Sequence, residues 1–320
     1  MTHTLGLGCW PLSGPMFMDG KSVGYATCAP EEAERILHAA LDLGITLFDT
    51  AQAYGCGHGE RLLGTALKGR EATIVTKICL AIDEGAKAIT GLRTDPASVA
   101  PQVEESLSRL SRDRLDVVLI HPNDIPISDA EAVFSELESL TRAGKVGAFG
   151  WSTDFPENAA AQTRFLNATH VEHVMNVFLD AAELRLVTET AGLISLIRSP
   201  LAMGVLAGRF DAGRTIDPGD VRVEAHGGMD WFEGPRVHPR FEKRLNAIRE
   251  LLRTGGRSLS QGALSWLWAH GTHIIPVPGA SKVEQIEDNA AALAHGPLPA
   301  NVMAEIAALI PTESWQNRPL

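Results

Sequence analysis

Short apolar stretches recur along the chain and alternate with longer segments of helical periodicity. They are rich in Val and Ile, and most are hydrophobic at nearly every position, which is typical of parallel strands covered on both faces. Seven of them are ITLFD at 45–49, ATIVTK at 72–77, LDVVLIH at 115–121, VGAFGWS at 146–152, HVMNV at 173–177, LISLIRS at 193–199 and HIIPV at 273–277. TLGLGCW at 4–10 supplies an eighth, so the pattern predicts eight parallel strands.

Amphipathic helices are predicted between these strands. In APEEAERILHAALDLG, Pro30 suits the first helical position, apolar residues recur at i, i+3 and i+4, and Gly44 ends the pattern. SDAEAVFSELESLTRAGKV predicts a helix with Ser128 as its N-cap and Gly144 after its end. SLSQGALSWLWAHG repeats this arrangement from Ser258 onward.

Eight strands alternating with helices, without a break in composition, predict a single (β/α)₈ TIM-barrel domain over residues 1–320. An open doubly wound sheet is the alternative. A G-x-G-x-x-G motif after the first strand would favour that sheet. The nearest match, GCGHGE at 55–60, lacks the last glycine and follows a later strand, so we interpret it as a turn and helix start.

A long segment at 211–239, after the seventh strand, departs from the alternation. It contains HGGMDWFEGPRVHPR, with several glycines, prolines and aromatic residues. Long loops in compact domains are usually functional or disordered. We predict a cover over the mouth of the barrel, with a solvated insertion as the alternative.

Charge and composition limit the kinds of molecule that the protein is expected to bind and the compartment in which it is expected to work. A formal net charge of −11 argues against nucleic acid, and no uncharged apolar run is long enough to span a membrane. The N-terminus lacks a secretory signal, and four cysteines without a C-x-x-C pair indicate reduced thiols, so we expect a cytoplasmic monomer or small homo-oligomer. Cys56 and Cys79 are interpreted as space-filling residues, and the histidine pairs at 170/173 and 270/273 predict no metal site.

Four polar residues stand at or just after the predicted strand ends, where the strands of a barrel converge on one mouth. Asp49, Lys77 and His121 end three of the strands, and Tyr54 follows Asp49 in the next loop. A free phenol has a pKa of about 10, and a nearby ammonium lowers it. These residues predict proton transfer to a carbonyl oxygen by Tyr54, with Lys77 held by Asp49 and the substrate oriented by His121.

Proton transfer alone does not reduce a carbonyl. A hydride must also be delivered, and no protein side chain carries one. This chemistry implies a nicotinamide cofactor.

The motifs resemble those of the aldo-keto reductase superfamily. The similar segments are FDTAQAYGCGHGERLLGTAL, IVTK, LDVVLIH, SPLAMGVLAGRF and IPVPGASKVEQIEDNAAAL, in the family's order over nearly the whole chain. The resemblance implies a (β/α)₈ barrel, a small-molecule aldehyde or ketone substrate, and Asp49, Tyr54, Lys77 and His121 as the catalytic set. It favours NADPH, because the family usually prefers that coenzyme. It leaves NADH open, because relatives often carry Arg where Ser281 stands, and Ser281 with Lys282 would hold a 2′-phosphate less firmly.

The same resemblance implies further site residues. Those for the nicotinamide amide are Ser152, Thr153 and Asn176. Those for the pyrophosphate are Ser199, Leu201, Gly204 and Arg209. Those for the adenosine end are Gly279, Ser281, Lys282, Gln285, Asp288 and Asn289. The predicted substrate pocket consists of Trp10, Trp151, Trp231 and Phe232.

The sequence is also compatible with two other functions. The potassium-channel β subunits resemble the same family, so a nicotinamide-binding regulatory subunit with little turnover is one alternative. A sugar-modifying biosynthetic enzyme on the same scaffold is the other. They differ from a carbonyl reductase in turnover and in substrate, respectively.

Overall fold

The computed structural model describes residues 3–210, 215–216, 220–223, 230–310 and 313–314. Eight parallel strands form one sheet in chain order. They are β1 (Gly6–Gly8), β2 (Leu47–Asp49), β3 (Thr73–Ile78), β4 (Leu115–Ile120), β5 (Val146–Ser152), β6 (Ala168–Val174), β7 (Ile194–Arg198) and β8 (Ile274–Pro276). A parallel bridge between Gly8 and Gly279 brings the two edges together, so the sheet closes into the predicted barrel.

Helices surround the barrel. They are α1 (Pro30–Asp42), α2 (His58–Ala66), α3 (Val99–Leu110), α4 (Ile127–Arg142), α5 (Pro156–Gln162), α6 (Ala182–Ala191), α7 (Pro239–Leu252), α8 (Leu259–Trp268), α9 (Val283–Ala291) and α10 (Ala300–Leu309). A separate four-stranded sheet, the side sheet, consists of Lys21–Ser22, Phe17–Met18, Ala88–Leu92 and Leu80–Asp83. Two short strand pairs are Leu179–Asp180 with Glu313–Ser314 and Phe232–Glu233 with Arg236–Val237.

Two of the three predicted helix starts are found in the structure. Helix α1 has Pro30 in its first turn, and α8 has Ser258 as the N-cap of a capping box with Gln261. The prediction for Ser128 was wrong, because α4 already begins at Ile127 and its N-cap is Pro126. The fixed φ of that proline starts the helix two residues earlier than a serine cap would.

The sixth strand was also placed wrongly. It was predicted at 173–177, whereas β6 runs from Ala168 to Val174. Its side chains include those of His170 and Glu172, and these polar residues interrupt the continuous apolar pattern from which the other strands were predicted. Glu172 was therefore left outside the predicted strand.

Side chains alternate between the inside of the barrel and the helical layer, as the pleat of a strand requires. The interior cluster includes Leu47, Val75, Val117, Leu119, Leu196 and Val277. The larger cluster between strands and helices includes Phe134 from α4 with Phe149 and Trp151 from β5. In β5, therefore, odd-numbered residues at the end of the strand face the helices and Ser152 faces the barrel interior.

Gly150 allows β5 and β6 to approach closely. A Cβ atom built on Gly150 would lie 1.7 Å from the carbonyl oxygen of His170, which no side-chain rotation relieves. Gly150→Ala is expected to lower the free energy of unfolding by about 3 kcal/mol, measured by urea denaturation. Gly85→Ala is the control, because its added methyl would meet only Asp83 Oδ1 at 3.4 Å. Equal stability of the two variants would contradict the close strand approach.

No described helix combines the length and the apolar character that crossing a bilayer needs.

Candidate active site

A cavity of about 920 Å³ opens at the carboxyl ends of the barrel strands. Its wall includes Asp49 at the end of β2, Ser152 at the end of β5 and Arg198 at the end of β7. Active sites of (β/α)₈ barrels lie at this face of the fold. The cavity is therefore the candidate active site.

Lys77 lies beneath the floor of this cavity and joins two of the predicted residues. Its Nζ donates to Asp49 Oδ1 at 2.5 Å, to the carbonyl oxygen of Thr50 at 3.1 Å and to Tyr54 Oη at 3.4 Å. The lysine side chain is 0% exposed and that of Asp49 is 5% exposed. The structure thus brings Asp49, Lys77 and Tyr54 into one buried group.

The fold places these groups through strand parity and one tight turn. Asp49 and Lys77 share the inward parity of Leu47 and Val75, the interior residues of β2 and β3. Tyr54 lies in the turn that follows β2, where Gly55 has φ +59° and a Cβ atom there would lie 1.9 Å from Ser13 O. Glycine is required at that position because the turn packs directly on the backbone after β1.

The GCGHGE segment is the turn and helix start that the sequence indicated. Gly57 is the N-cap of α2, with φ 84°. Glu60 in the first turn accepts hydrogen bonds from Thr76 Oγ1 at 2.6 Å and Arg109 Nη1 at 3.1 Å. The segment holds the Tyr54 turn against β3 and α3.

Tyr54 is enclosed by aromatic and charged neighbours. Its ring stacks on Trp10 at 5.8 Å between centroids with an interplanar angle of 14°, and meets His121 edge-on at 5.7 Å. Lys77 Nζ lies 4.9 Å from the ring centroid. These contacts fix the ring and direct its hydroxyl to the cavity floor.

The predicted net lowering of the Tyr54 pKa was wrong. Burial raises the pKa of Tyr54 above its usual range, and the charges of Asp49 and Glu172 act in the same direction. Lys77 does lower the pKa of the phenol, as predicted, but by less than burial raises it. Tyr54 is therefore protonated at neutral pH and is poised as a proton donor.

The buried ammonium stays charged. Burial lowers the pKa of Lys77, but the carboxyl groups of Asp49 and Glu172 raise it by a larger amount. The pKa of Lys77 therefore lies above its usual range. Lys77 therefore keeps its positive charge at every pH at which the protein would be assayed.

His121 is neutral at the same floor. Burial, together with the positive charges of Lys77 and Arg198, holds the pKa of His121 well below its usual range. Its Nδ1 is buried and has no hydrogen-bond partner among the described residues. A neutral imidazole that faces the cavity can donate a hydrogen bond to a substrate oxygen.

Glu172 is a residue of this floor that the sequence analysis missed. Its Oε2 lies 3.1 Å from Lys77 Nζ, and its side chain is 1% exposed. It pairs with Ser152 across β5 and β6, so the inward direction of Ser152 implies that of Glu172. The predicted sixth strand began one residue later, which left Glu172 outside it.

Most residues predicted for the dinucleotide line the same cavity. They are Ser152, Ser199, Leu201, Gly204, Arg209, Gly279, Ser281, Gln285 and Asn289. They run from the floor along the ends of β7 and β8 to α9. Ser281 N donates to Gln285 Oε1 at 2.7 Å, which fixes the start of that helix.

Four predicted cofactor residues are placed elsewhere. Thr153 Oγ1 donates to Asn123 O at 2.7 Å in the buried layer beneath the wall. Both polar atoms of the Asn176 side chain are hydrogen-bonded to the backbone: Nδ2 donates to Ser199 O at 3.1 Å, and Oδ1 accepts from Phe178 N at 3.0 Å. On α9, Asp288 accepts from Gln261, and Lys282, the N-cap before that helix, is exposed. The structure does not bring these four side chains to the cavity wall.

Of the four aromatic residues predicted for the substrate pocket, Trp10 lines the cavity. Trp151 is fully buried, and its indole N–H donates to Pro122 O at 2.7 Å on the helix side of β5. Its neighbour Ser152 faces the cavity, so Trp151 must face the other way. Trp231 and Phe232 are 3% and 5% exposed and lie in the main core.

The 211–239 segment is described in part. Residues 211–214, 217–219 and 224–229 lie outside the described residues, so the prediction of a complete cover stays a prediction. In the described portion, Val221 N donates to Gly24 O at 3.0 Å, and Asp220 and Arg222 line the cavity. This portion forms part of the cavity wall.

Cys56 and Cys79 are both buried. Burial raises the pKa of Cys56 to about 11 and that of Cys79 to about 12, so both thiols are protonated at neutral pH. Within the described part of the chain, no group of three or more His, Cys, Asp or Glu side chains is arranged to hold a metal ion.

The closed sheet of eight parallel strands and the cavity at the carboxyl ends of those strands define a (β/α)₈-barrel protein with one candidate active site at its mouth. A sequence model described as the Aldo/keto reductase family matches residues 4–311. The chain belongs to the aldo/keto reductase family, and the resemblance drawn from its motifs is confirmed.

Similar proteins support this assignment. An uncharacterized oxidoreductase of Mycobacterium tuberculosis is 31% identical over 294 residues, covering 90% of this chain and 83% of that protein. The solved glycerol dehydrogenase of Gluconobacter oxydans has a TM-score of 0.78 at 26% identity, covering 97% of this chain and 93% of that one. An aldo/keto reductase from Klebsiella pneumoniae, solved with NADP and acetate, shares the fold with a TM-score of 0.68 at 22% identity, covering 99% and 94%.

Proposed function

We propose that this protein is an NAD(P)-dependent oxidoreductase that interconverts an aldehyde or ketone and its alcohol, with Tyr54 as general acid and base. The observation that carries the proposal is the 3.4 Å contact between Lys77 Nζ and Tyr54 Oη at the floor of the cavity. A phenol beside a permanent ammonium can give up a proton and be stabilised as the phenolate.

Each side chain at the floor has its own task in this proposal. Tyr54 donates its proton to the substrate oxygen during reduction and accepts it back during oxidation. Lys77, fixed by Asp49, stabilises the phenolate that remains after donation. His121, as a neutral imidazole, donates a hydrogen bond to the same oxygen and orients it.

The cavity also fits a dinucleotide. A volume of about 920 Å³ is at the upper end for ligand pockets, and the wall runs from the floor to α9. In this proposal Ser152 contacts the nicotinamide end, Ser199 and Arg209 contact the pyrophosphate, and Ser281 and Gln285 contact the adenosine end. A dinucleotide bound there supplies the hydride that no side chain carries. NADP is favoured because the similar Klebsiella protein was solved with it, and NAD remains open because Ser281 offers no cation to a 2′-phosphate.

The outer wall supports a substrate with an apolar part. Met18, Ile89 and Leu92 of the side sheet line the cavity together with Trp10 and Val23. Apolar and aromatic walls with few polar groups are typical of small-molecule sites. The carbonyl end of such a substrate would face Tyr54, and its apolar end would contact the side sheet.

A coenzyme-linked assay tests the proposal. The purified protein is mixed with NADPH or NADH and a panel of aldehydes, ketones and sugars, and in reverse with the corresponding alcohols and oxidised coenzymes. We expect a change in nicotinamide absorbance with at least one carbonyl compound and a preference for the NADP pair. Coenzyme binding without turnover on the whole panel would contradict the enzyme and favour a regulatory subunit.

A further inference from the structure

Two of the three residues that the resemblance implied for the nicotinamide amide do not reach the cavity. The side chains of Thr153 and Asn176 are hydrogen-bonded inside the wall, and Ser152 alone of the three lines the cavity. An amide has a carbonyl oxygen that accepts hydrogen bonds and an NH₂ group that donates them, and one hydroxyl does not satisfy both ends. A nicotinamide beside Ser152 therefore needs further polar partners in the wall.

Two polar side chains lie beside Ser152 on the next two strands. Glu172 on β6 pairs directly with Ser152 on β5. Val174, two residues further along β6, pairs with Arg198 at the end of β7. Arg198 has the inward parity of Leu196, a residue of the interior cluster, and both Glu172 and Arg198 line the cavity. Three adjacent strands thus present one polar side chain each to the same part of the wall.

Glu172 contributes an unsatisfied acceptor. Its Oε2 lies 3.1 Å from Lys77 Nζ, and its side chain is 1% exposed. The three N–H groups of that ammonium already point to Asp49 Oδ1, Thr50 O and Tyr54 Oη. The described residues offer Glu172 Oε2 no other donor. A buried acceptor without a donor costs free energy, so this carboxyl group gains from a donor that enters the cavity.

This acceptor is not an uncompensated charge. Burial raises the pKa of Asp49 well above its usual range, and the charge of Glu172 and a hydrogen bond with that side chain raise it further. The two carboxyl groups therefore hold one proton between them and balance the single charge of Lys77. The floor is suited to a neutral hydrogen-bond donor rather than to a cation.

Arg198 contributes donors. Its Nη2 donates to Asp154 Oδ2, and Asp154 is fixed in turn because its Oδ1 accepts from Val174 N at 2.8 Å. Among the described residues, Arg198 makes that one hydrogen bond, so its other N–H groups are available. The side chain of Asp154 is 2% exposed and that of Arg198 is 20% exposed, so the guanidinium is the part of the pair that faces the cavity.

We propose that Glu172 and Arg198 bind the nicotinamide amide, with the carboxyl group of Glu172 accepting from the NH₂ group and Arg198 donating to the carbonyl oxygen. The inference rests on the proposed function, because it needs a nicotinamide at the floor. One acceptor and one donor on either side of an amide match its two ends, and both contacts involve groups that form strong hydrogen bonds. An amide held at both ends keeps the ring in one orientation toward the substrate.

Coenzyme analogues test each contact separately. The acetylpyridine analogue of NADP has a methyl group in place of the amide NH₂ and keeps the carbonyl oxygen. The thionicotinamide analogue keeps the NH₂ and has sulfur, a weak acceptor, in place of that oxygen. Dissociation constants of oxidised NADP and both analogues are measured by quenching of tryptophan fluorescence without substrate, and the NAD series is used if NAD binds more tightly. The wild-type protein is expected to bind each analogue about tenfold more weakly than the natural coenzyme.

Variants of Glu172 show whether it is the partner of the NH₂ group. Glu172→Leu is expected to bind the natural coenzyme about tenfold more weakly and the acetylpyridine analogue less than about twofold more weakly, because that analogue has no NH₂ contact to lose. Glu172→Gln keeps an acceptor oxygen, so its affinity for the natural coenzyme is expected to stay within about threefold of the wild-type value.

Variants of Arg198 show whether it is the partner of the carbonyl oxygen. Arg198→Met is expected to bind the natural coenzyme about tenfold more weakly and the thionicotinamide analogue less than about threefold more weakly. Because Arg198→Met leaves Asp154 buried without its partner, Arg198→Met combined with Asp154→Asn repeats the measurement without a buried charge. Asp124→Asn changes an exposed side chain at the rim of the same cavity and is expected to affect the coenzyme and both analogues alike.

Two results would overturn the inference. One is wild-type protein that binds both analogues as tightly as the natural coenzyme, which needs no variant to be folded. The other is equal weakening of the natural coenzyme and the matching analogue in the Glu172→Leu and Arg198 variants, because these residues would then act through Lys77 and Asp154 rather than on the amide. Failure of the wild-type protein to bind either NADP or NAD would instead reject the proposed function itself.

Discussion

Tyr54→Phe is expected to lower turnover by about 10²- to 10⁴-fold in both directions, the usual contribution of a positioned general acid or base. Phenylalanine keeps the ring that stacks on Trp10 and meets His121 edge-on. It removes only the hydroxyl that lies 3.4 Å from Lys77 Nζ. Coenzyme dissociation constants should therefore stay close to those of the wild type while the chemical step is lost.

The pH dependence gives a second measurement on the same variant. Burial raises the pKa of Tyr54 above its usual range despite Lys77, so the phenol stays protonated through neutral pH. The rate of reduction, which needs the phenol, should be constant across neutral pH and fall only at strongly alkaline pH. The rate of oxidation, which needs the phenolate, should rise with pH. In Tyr54→Phe both dependences should disappear.

The chain offers a matched control, because it contains only two tyrosines. Tyr25 meets Trp10 edge-on at 5.2 Å, but the ammonium of Lys77 directs its three donors elsewhere. Tyr25→Phe should therefore keep most of its turnover and an unaltered pH profile. Equal losses in the two variants would show that the aromatic cluster, rather than the phenol of Tyr54, carries the activity.

The barrel and the position of the catalytic group were predictable because strand order determines position in a closed parallel sheet. Asp49, Lys77 and His121 lie at or beside the carboxyl ends of successive strands, and those ends necessarily meet at one mouth. The positions at the mouth therefore follow from the period of the apolar stretches and from the residue that ends each one, without packing detail or side-chain rotamers.

Side-chain direction was less predictable, because a shift of one residue reverses it. Trp151 was expected at the mouth on the ground that it ends a strand, yet Ser152 takes the inward position there and Trp151 packs on Phe134. The same parity, applied to β6, would have identified Glu172 beside Ser152. A strand boundary that began at His173 prevented that step.

The sign of the Tyr54 shift could not be read from the sequence. Motif spacing showed that an ammonium would approach the phenol, and the structure has it at 3.4 Å. It did not show how completely the phenol is buried, and burial is the larger influence on its pKa. The competition between desolvation and a neighbouring charge depends on packing in three dimensions.

Removal of the ammonium is expected to have the second large effect, on stability as well as turnover. Lys77→Met replaces the cation with an apolar chain and leaves Asp49 and Glu172 together without a counter-charge. Removing one partner of a buried ion pair costs about 3–5 kcal/mol, so the free energy of unfolding should fall by that amount. Turnover should fall as well, because the phenolate of Tyr54 loses its stabilising charge.

A triple variant separates these two effects. Lys77→Met combined with Asp49→Asn and Glu172→Gln leaves no charge in the buried group, and replacing a buried ion pair as a whole is often neutral for stability. Its free energy of unfolding, measured in urea, should recover toward the wild-type value, whereas its single-turnover rate should not. Recovered turnover would show that Lys77 serves only the fold. Wild-type stability in Lys77→Met alone would show that the two carboxylates do not depend on the ammonium.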